Sequence, residues 1–194
     1  MSPLPLPDEK LDPRVRRTLR ALEQALADLL SEKGFNAISV QDVTERAGLN
    51  RATFYAHFAD KYALLTHSIR RGFLHEIETR MLDACHYTRD NLRNLIVAVC
   101  EFTGSTSKHC KTSEVQFEAL VEAQVKDMLY GLLMKWLEQA ATRVPAEMAA
   151  TAGSWAIYGL AAQWSHGKPS NSADEFAAEV LPLVAANFRL AQPV

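Results

Sequence analysis

The chain has 194 residues, 48% hydrophobic and 23% charged, with a formal net charge of −2. This is the composition of a folded globular protein, long enough to bury a real core in one large or two small domains, and it excludes a disordered chain. Three cysteines (Cys85, Cys100 and Cys110) form no CxxC pair, which fits a reducing cytoplasm better than a disulfide scaffold.

The opening MSPLPLPDEK lacks a basic region followed by an apolar run, so no signal peptide is expected, and Pro3, Pro5 and Pro7 mark residues 1–9 as a mobile arm. Asp12 can cap a first helix with Pro13 at its first position, where the missing N–H costs nothing. Leu19, Leu22, Leu26, Leu29 and Leu30 give that helix one apolar stripe, and Gly34 is expected to close it in the left-handed conformation. Ser39 can then cap a short helix, Val40–Ala47, stopped by Gly48. Asn50 can cap a second, Arg51–Phe58, and Asp60 a long one from Lys61 to about Asp83. Helices of about eight residues are unstable alone. Phe35, Ile38, Val43, Ala47, Leu49, Phe54, Phe58 and Leu64 are the expected core that holds them.

Longer helices follow, roughly Asn91–Thr103, Ser113–Arg143, Ala146–His166 and Ser172–Leu190. GSTSKHCKTS (104–113), Val144-Pro145 and GKPSNS (167–172) have loop chemistry between them, and Pro182 should kink the last helix. Met148–Gly167 carries no formal charge and approaches the length of a membrane span. Thr151, Ser154, Gln163, Ser165 and His166 make it too polar to face lipid, so a protein-buried helix and no membrane span are expected. No strand pattern or internal repeat appears. The fold class is all-α.

Residues 10–71 hold 11 Lys and Arg against 7 Asp and Glu, whereas residues 72–194 hold 10 against 14. A basic first third on an acidic remainder points to an anionic partner for the N-terminal part. A short helix, a glycine turn and a second short helix form a helix-turn-helix, whose second helix enters the major groove of DNA. On that helix Arg51 can read guanine, and Ala52 and Thr53 can touch a base or a thymine methyl. Tyr55 and His57 can donate to phosphates, and Lys61 at the next helix N-terminus is expected to do the same. Ser39, Thr44 and Asn50 complete the candidate DNA-binding set. His57 reads equally well as a solvated surface histidine, Thr44 as an ordinary helix residue, and Arg14, Arg16 and Arg17 as an exposed first turn.

The stretch ISVQDVTERAGLNRATFYAHFADKYALL (38–65) resembles the DNA-binding signature of TetR-family transcriptional regulators. Ser39, Val43, Ala47, Gly48, the Thr53-Phe54-Tyr55 triplet, Phe58, Lys61, Leu64 and Leu65 carry the likeness. Asn50 stands where Ser or Thr is usual, Ala52 where Gly is common, and Tyr62 where Glu is common. The resemblance implies a DNA-binding domain over residues 10–60 and a helical effector-binding and dimerisation domain over residues 61–194. It also implies a repressor that a small-molecule effector releases from DNA. Two-fold symmetry would require a homodimer on a palindromic double-stranded operator.

Candidate effector-pocket residues are Phe102, Phe117, Met128, Tyr130, Met134, Trp136 and Trp164. Candidate dimer residues are Ala152, Trp155, Ala156, Gly159, Leu160, Phe176, Val180 and Leu183, with Gly153 among the small residues that permit close approach. No cofactor or metal is expected, and no enzymatic activity. Two alternatives keep the cysteines: a regulator sensing redox state through Cys85, Cys100 or Cys110, and an enzyme using Cys100 or Cys110. Neither has recognisable ligand spacing or a third group placed by the sequence.

Overall fold

The protein is described by a computed structural model covering residues 11–80, 86–109, 115–138, 144–167 and 171–188. Among these residues every regular element is helical. Helix α1 (Pro13–Glu32) starts as its sequence requires, with the Asp12 carboxylate accepting from the Arg14 N–H at 2.7 Å and Pro13 in the first turn. Its stripe buries Leu19, Leu22, Leu26 and Leu29. The exit differs from expectation. Lys33 ends the helix in extended backbone, and Gly34 has φ −64°, not the left-handed value. A 3-10 turn, Phe35–Ala37, follows directly and drives the Phe35 ring into the core, so the chain leaves α1 extended.

Helix α2 (Val40–Ala47) opens on a reciprocal capping box. The Ser39 hydroxyl accepts from the Asp42 N–H at 3.1 Å, while Asp42 accepts from the Ser39 N–H at 2.7 Å. Gly48, at φ 66°, is the one described glycine with positive φ and reverses the chain there. Helix α3 (Arg51–Tyr55) is capped by Asn50 and is shorter than expected. Ala56 closes it, and His57 N–H bonds back to the Phe54 carbonyl at 3.0 Å, so Phe58 enters the core from a turn.

Helix α4 (Lys61–Arg80) packs on α1 at its start and on α5 and α6 farther along; its expected end at Asp83 lies outside the described residues. Two links to α1 run through Glu23, which pairs with Arg71 and lies 3.1 Å from His67 Nε2. Helix α1 is tied to α2 by Arg46 on Glu32, bidentate at 2.8 and 2.9 Å, and by Lys33 on Asp42 at 3.1 Å.

Helix α5 (Arg89–His109) begins earlier than predicted because Thr88 caps it, its hydroxyl accepting from Asn91 N–H at 3.0 Å. It also runs through Gly104 into the stretch read as loop. There Gly104 sits against the Trp164 ring, and the Thr103 and Thr106 hydroxyls bond back to carbonyls of their own helix, so packing overrides the loop-forming composition. Helix α6 spans Val115–Leu137, a shorter range than the predicted one, whose margins fall partly outside the described residues. Helix α7 (Ala146–His166) matches its expected bounds. Helix α8 (Ala173–Ala185) starts on a Ser172–Glu175 capping box. Pro182 does not break it, and a 3-10 turn, Ala186–Phe188, ends the described chain. Phe188 is fully buried against Gly153, where a Cβ would stand 2.5 Å from its ring. Gly153 therefore serves close packing inside the chain, not the contact with a second chain expected of it.

Candidate DNA interface and effector cavity

Which side of α3 faces out follows from where its two phenylalanines go. Phe54 is fully buried and Phe58 nearly so, their rings 5.9 Å apart. This anchoring leaves Arg51, Ala52 and Tyr55 exposed, with Thr53 and His57 half-buried beside them. Tyr55 stands edge-on to Phe54 at 5.5 Å, which fixes the direction of its hydroxyl. The Asn50 side-chain oxygen accepts from both the Thr53 N–H (2.7 Å) and its hydroxyl (3.0 Å), so Asn50 orders the reading end of the helix. Ser39 caps α2 in the same way.

Two of the expected DNA residues are used inside the fold. Thr44 is only 2% exposed, and its hydroxyl donates to the Gln41 carbonyl at 3.0 Å, which leaves it no route to a phosphate. Lys61 donates from one ammonium to the carbonyls of Phe35 (2.9 Å), Asn36 (3.1 Å) and Ile38 (2.7 Å) and lies over the Phe35 ring at 4.7 Å. Its three N–H bonds are thereby engaged. The charge expected on a phosphate instead ties the turn before α2 to the start of α4.

In the C-terminal part a cavity of about 300 Å³ opens between α5, α6 and α7. Thr103, Thr106, Phe117, Glu118, Val121, Glu122, Tyr158, Ala162, Ser165 and His166 line it. Of the residues expected there, only Phe117 does. Trp136, Phe102 and Met128 are buried core, Phe102 against Phe73 of α4 at 5.4 Å. Tyr130 and Met134 pack half-buried against that core, and Trp164 packs on Phe176 at 6.2 Å. The aromatic side chains were used for packing, as large apolar residues mostly are. The missed lining residues recur at helical spacing, Glu118 with Glu122 and Tyr158 with Ala162 and Ser165, but only the packing of three helices shows which faces meet.

Phe117 has a second contact. Its ring lies 6.3 Å from that of Phe35, the ring beneath the Lys61 ammonium, so a cavity wall touches the turn that leads into α2. Cys100 is a buried free cysteine whose thiol is pushed up to about 12, chiefly by burial, which removes the thiolate that a redox sensor or a nucleophile needs. Cys85 and Cys110 lie outside the described residues.

Of the expected dimer residues, Trp155 and Leu183 are 62% and 67% exposed, and Ala152 and Gly159 are exposed with them. Met148, unforeseen, joins the same stripe at 67%. Ala156, Leu160 and Phe176 are half-buried. Val180 is 6% exposed and belongs to the core of its own chain, so it has nothing to offer a partner. No described helix is long and apolar enough to cross a membrane.

The family described as bacterial regulatory proteins, tetR family, matches residues 23–67. The chain is 30% identical over 151 residues to the HTH-type transcriptional regulator EthR of Mycolicibacterium smegmatis, covering 70% of this chain and 66% of that protein. It is 42% identical over 66 residues to the uncharacterized HTH-type transcriptional regulator YxbF of Bacillus subtilis, covering 34% of this chain and 17% of that protein. The chain thus spans less than two thirds of the length of either relative. A TetR-family regulator from Streptomyces coelicolor A3 has the same fold, with TM-score 0.65 and 20% identity over 91% of this chain and 97% of the other. So does the regulator FadR of Bacillus subtilis in complex with stearoyl-CoA, with TM-score 0.58 and 15% identity over 87% and 98%. An all-helical chain with this N-terminal helix-turn-helix has the fold of the tetR-family regulators it resembles. It belongs to the TetR family of transcriptional regulators.

Proposed function

We propose that the protein is a sequence-specific repressor that binds a palindromic operator as a homodimer and leaves it when a small molecule occupies the cavity between α5, α6 and α7. The observation that carries the reading is the outer face of α3, where Arg51, Ala52 and Tyr55 are exposed on a helix pinned from behind by Phe54 and Phe58. Arg51 is the base reader, with Thr53 beside it, and Tyr55 and His57 reach phosphates. Residues 10–60 make up the reading unit and residues 61–194 the sensing and dimerising unit, joined through α4.

The stripe Met148, Ala152, Trp155 and Gly159, at helical spacing on α7, with Leu183 on α8, supports the dimer: together they leave three large apolar side chains, Met148, Trp155 and Leu183, in water. The effector reading is supported by the cavity and by the Phe117–Phe35 contact. A ligand releases the operator only by the amount by which it prefers the state that cannot bind DNA. Selection of bound sequences from random DNA at two salt concentrations tests the reading. A palindromic consensus is expected; binding without any consensus would overturn it.

A further inference from the structure

We infer that the cavity between α5, α6 and α7 takes an uncharged apolar molecule bearing a hydroxyl group, an alcohol or a phenol, an assignment that rests on the cavity being the effector site. Three lining side chains carry hydroxyls whose hydrogens are already placed on backbone carbonyls. The Thr103 hydroxyl donates to the Val99 carbonyl at 2.9 Å, that of Thr106 to Phe102 at 2.9 Å and that of Ser165 to Ala162 at 3.0 Å. A hydroxyl has one hydrogen and two lone pairs, so each of these oxygens has only acceptor capacity left for a ligand. Glu118 and Glu122 add carboxylate oxygens, which also accept. Glu122 holds Lys126 at 2.7 Å, and that ion pair offsets its charge within the protein. What Glu122 offers a ligand is thus an acceptor rather than an unmet charge.

Tyr158 supplies the opposite function. Its hydroxyl is pushed up to about 12, by burial first and then by the charges of Glu122 and Glu118, so it keeps a hydrogen to give. His166, in its neutral form, has one N–H and one accepting nitrogen and fits either role. Phe117 and Val121 supply apolar wall for the body of the molecule. Polar ends of different kinds fare differently in such a lining. An ether oxygen receives the Tyr158 hydrogen but has none to give to the acceptors. An ammonium has hydrogens but no lone pair for Tyr158, and it loses its hydration on entry. A hydroxyl gives its hydrogen to an acceptor, receives the one from Tyr158, and carries no charge out of water.

Three probes that share one body separate these ends: 4-propylphenol, 4-propylanisole and 4-propylbenzylammonium, each titrated calorimetrically into the full-length protein at neutral pH. The phenol is expected to bind about fivefold more tightly than either of the others, which is the net effect of about one hydrogen bond. The triple variant Thr103→Val/Thr106→Val/Ser165→Ala should erase the difference between phenol and anisole. Thr106→Val and Ser165→Ala, made singly, should each narrow it, which decides the matter if the triple variant does not fold. Tyr158→Phe should weaken the phenol and the anisole alike and leave the ammonium as it was. Anisole or ammonium binding as tight as the phenol, a difference that survives removal of the hydroxyls, or no binding of any probe would each overturn the assignment. Release of the selected operator, measured with the same probes, separates the two readings. Hydroxyl-dependent phenol binding that leaves the operator bound sinks the effector role and keeps the ligand class. Release by the anisole or the ammonium as readily as by the phenol does the reverse.

Discussion

Arg51 and Lys61 are both basic residues of the same motif, and the fold gives them opposite tasks. Arg51 is exposed on α3, so Arg51→Ala should cost about 1–3 kcal/mol at the operator and flatten its base preference. Binding to selected and scrambled duplexes measures both; an unchanged ratio would remove the base-reading role. Lys61 instead neutralises three carbonyl ends. Lys61→Met should therefore lower folding stability by about 1–3 kcal/mol, since charge-assisted bonds to part-buried carbonyls are lost. Urea unfolding checks this, and an unaltered stability with a shallower salt dependence of DNA binding would return Lys61 to the phosphates. The basic character of Lys61 was plain from the sequence. What was hidden was the turn at Phe35–Ile38, twenty-odd positions away, that points its carbonyls at the ammonium. The Cys100 thiol and Tyr158 hydroxyl are both pushed up to about 12 and stay protonated in the folded protein. Their contribution to stability is complete below the ordinary values of 9.0 and 10.0 and is lost as pH rises through about 12. A pH series of unfolding midpoints should fall across that window, and a flat profile would count against both burials.

At the scale of the element, α2 and α3 show how much a cap does for a short helix. Ser39 and Asp42 satisfy each other's N–H groups, and the Asp42 carboxyl is lowered from 3.8 to about 2, first by the Ser39 backbone bond, then by the Ser39 hydroxyl and Lys33. Because the folded value is depressed, this contribution is present above pH 3.8 and is lost as pH falls through about 2. Ser39→Ala should cost about 1 kcal/mol, read by thermal unfolding at neutral pH. The same substitution measured near pH 2 should cost less; an equal cost at both values would mean that the Asp42 charge adds nothing to the box. At Gly48 a Cβ would meet no atom within 4 Å, so the cost of substitution is conformational alone. Gly48→Ala should cost about 1–2 kcal/mol, and Gly48→Asn less, because Asn tolerates the left-handed region. Equal losses in the two variants would point to a packing cause instead. These elements were readable because capping and turn chemistry are local. The end of α5 was not, because Trp164, far along the chain, fills the space beside Gly104.

For the whole molecule, the prediction concerns assembly. Trp155→Asp with Leu183→Asp should convert the proposed dimer to monomer in sedimentation at micromolar concentration. It should also weaken operator binding far more than binding to a half-site, since a charge in the centre of an interface is left unpaired. A double variant that sediments as the parent does would place the interface elsewhere. Long-range coupling also belongs to this scale. Phe117 faces the cavity and touches Phe35, and Phe35 lies under Lys61, so the cavity and the helix-turn-helix are joined through packed side chains.

By itself the sequence determined the all-helical class, the capped short helices and which face of α3 is left in water. Caps, glycine stops and helical periodicity act over a few residues, and a motif confined to 38–65 carries them all. Only the tertiary structure decided that Thr44 and Lys61 turn inward, that Val180 and Gly153 pack within their own chain, and that a glutamate-lined cavity replaces the expected aromatic one. Each of those outcomes depends on which helix faces meet. That choice is made by the packing of residues far apart in the chain, and no local pattern encodes it.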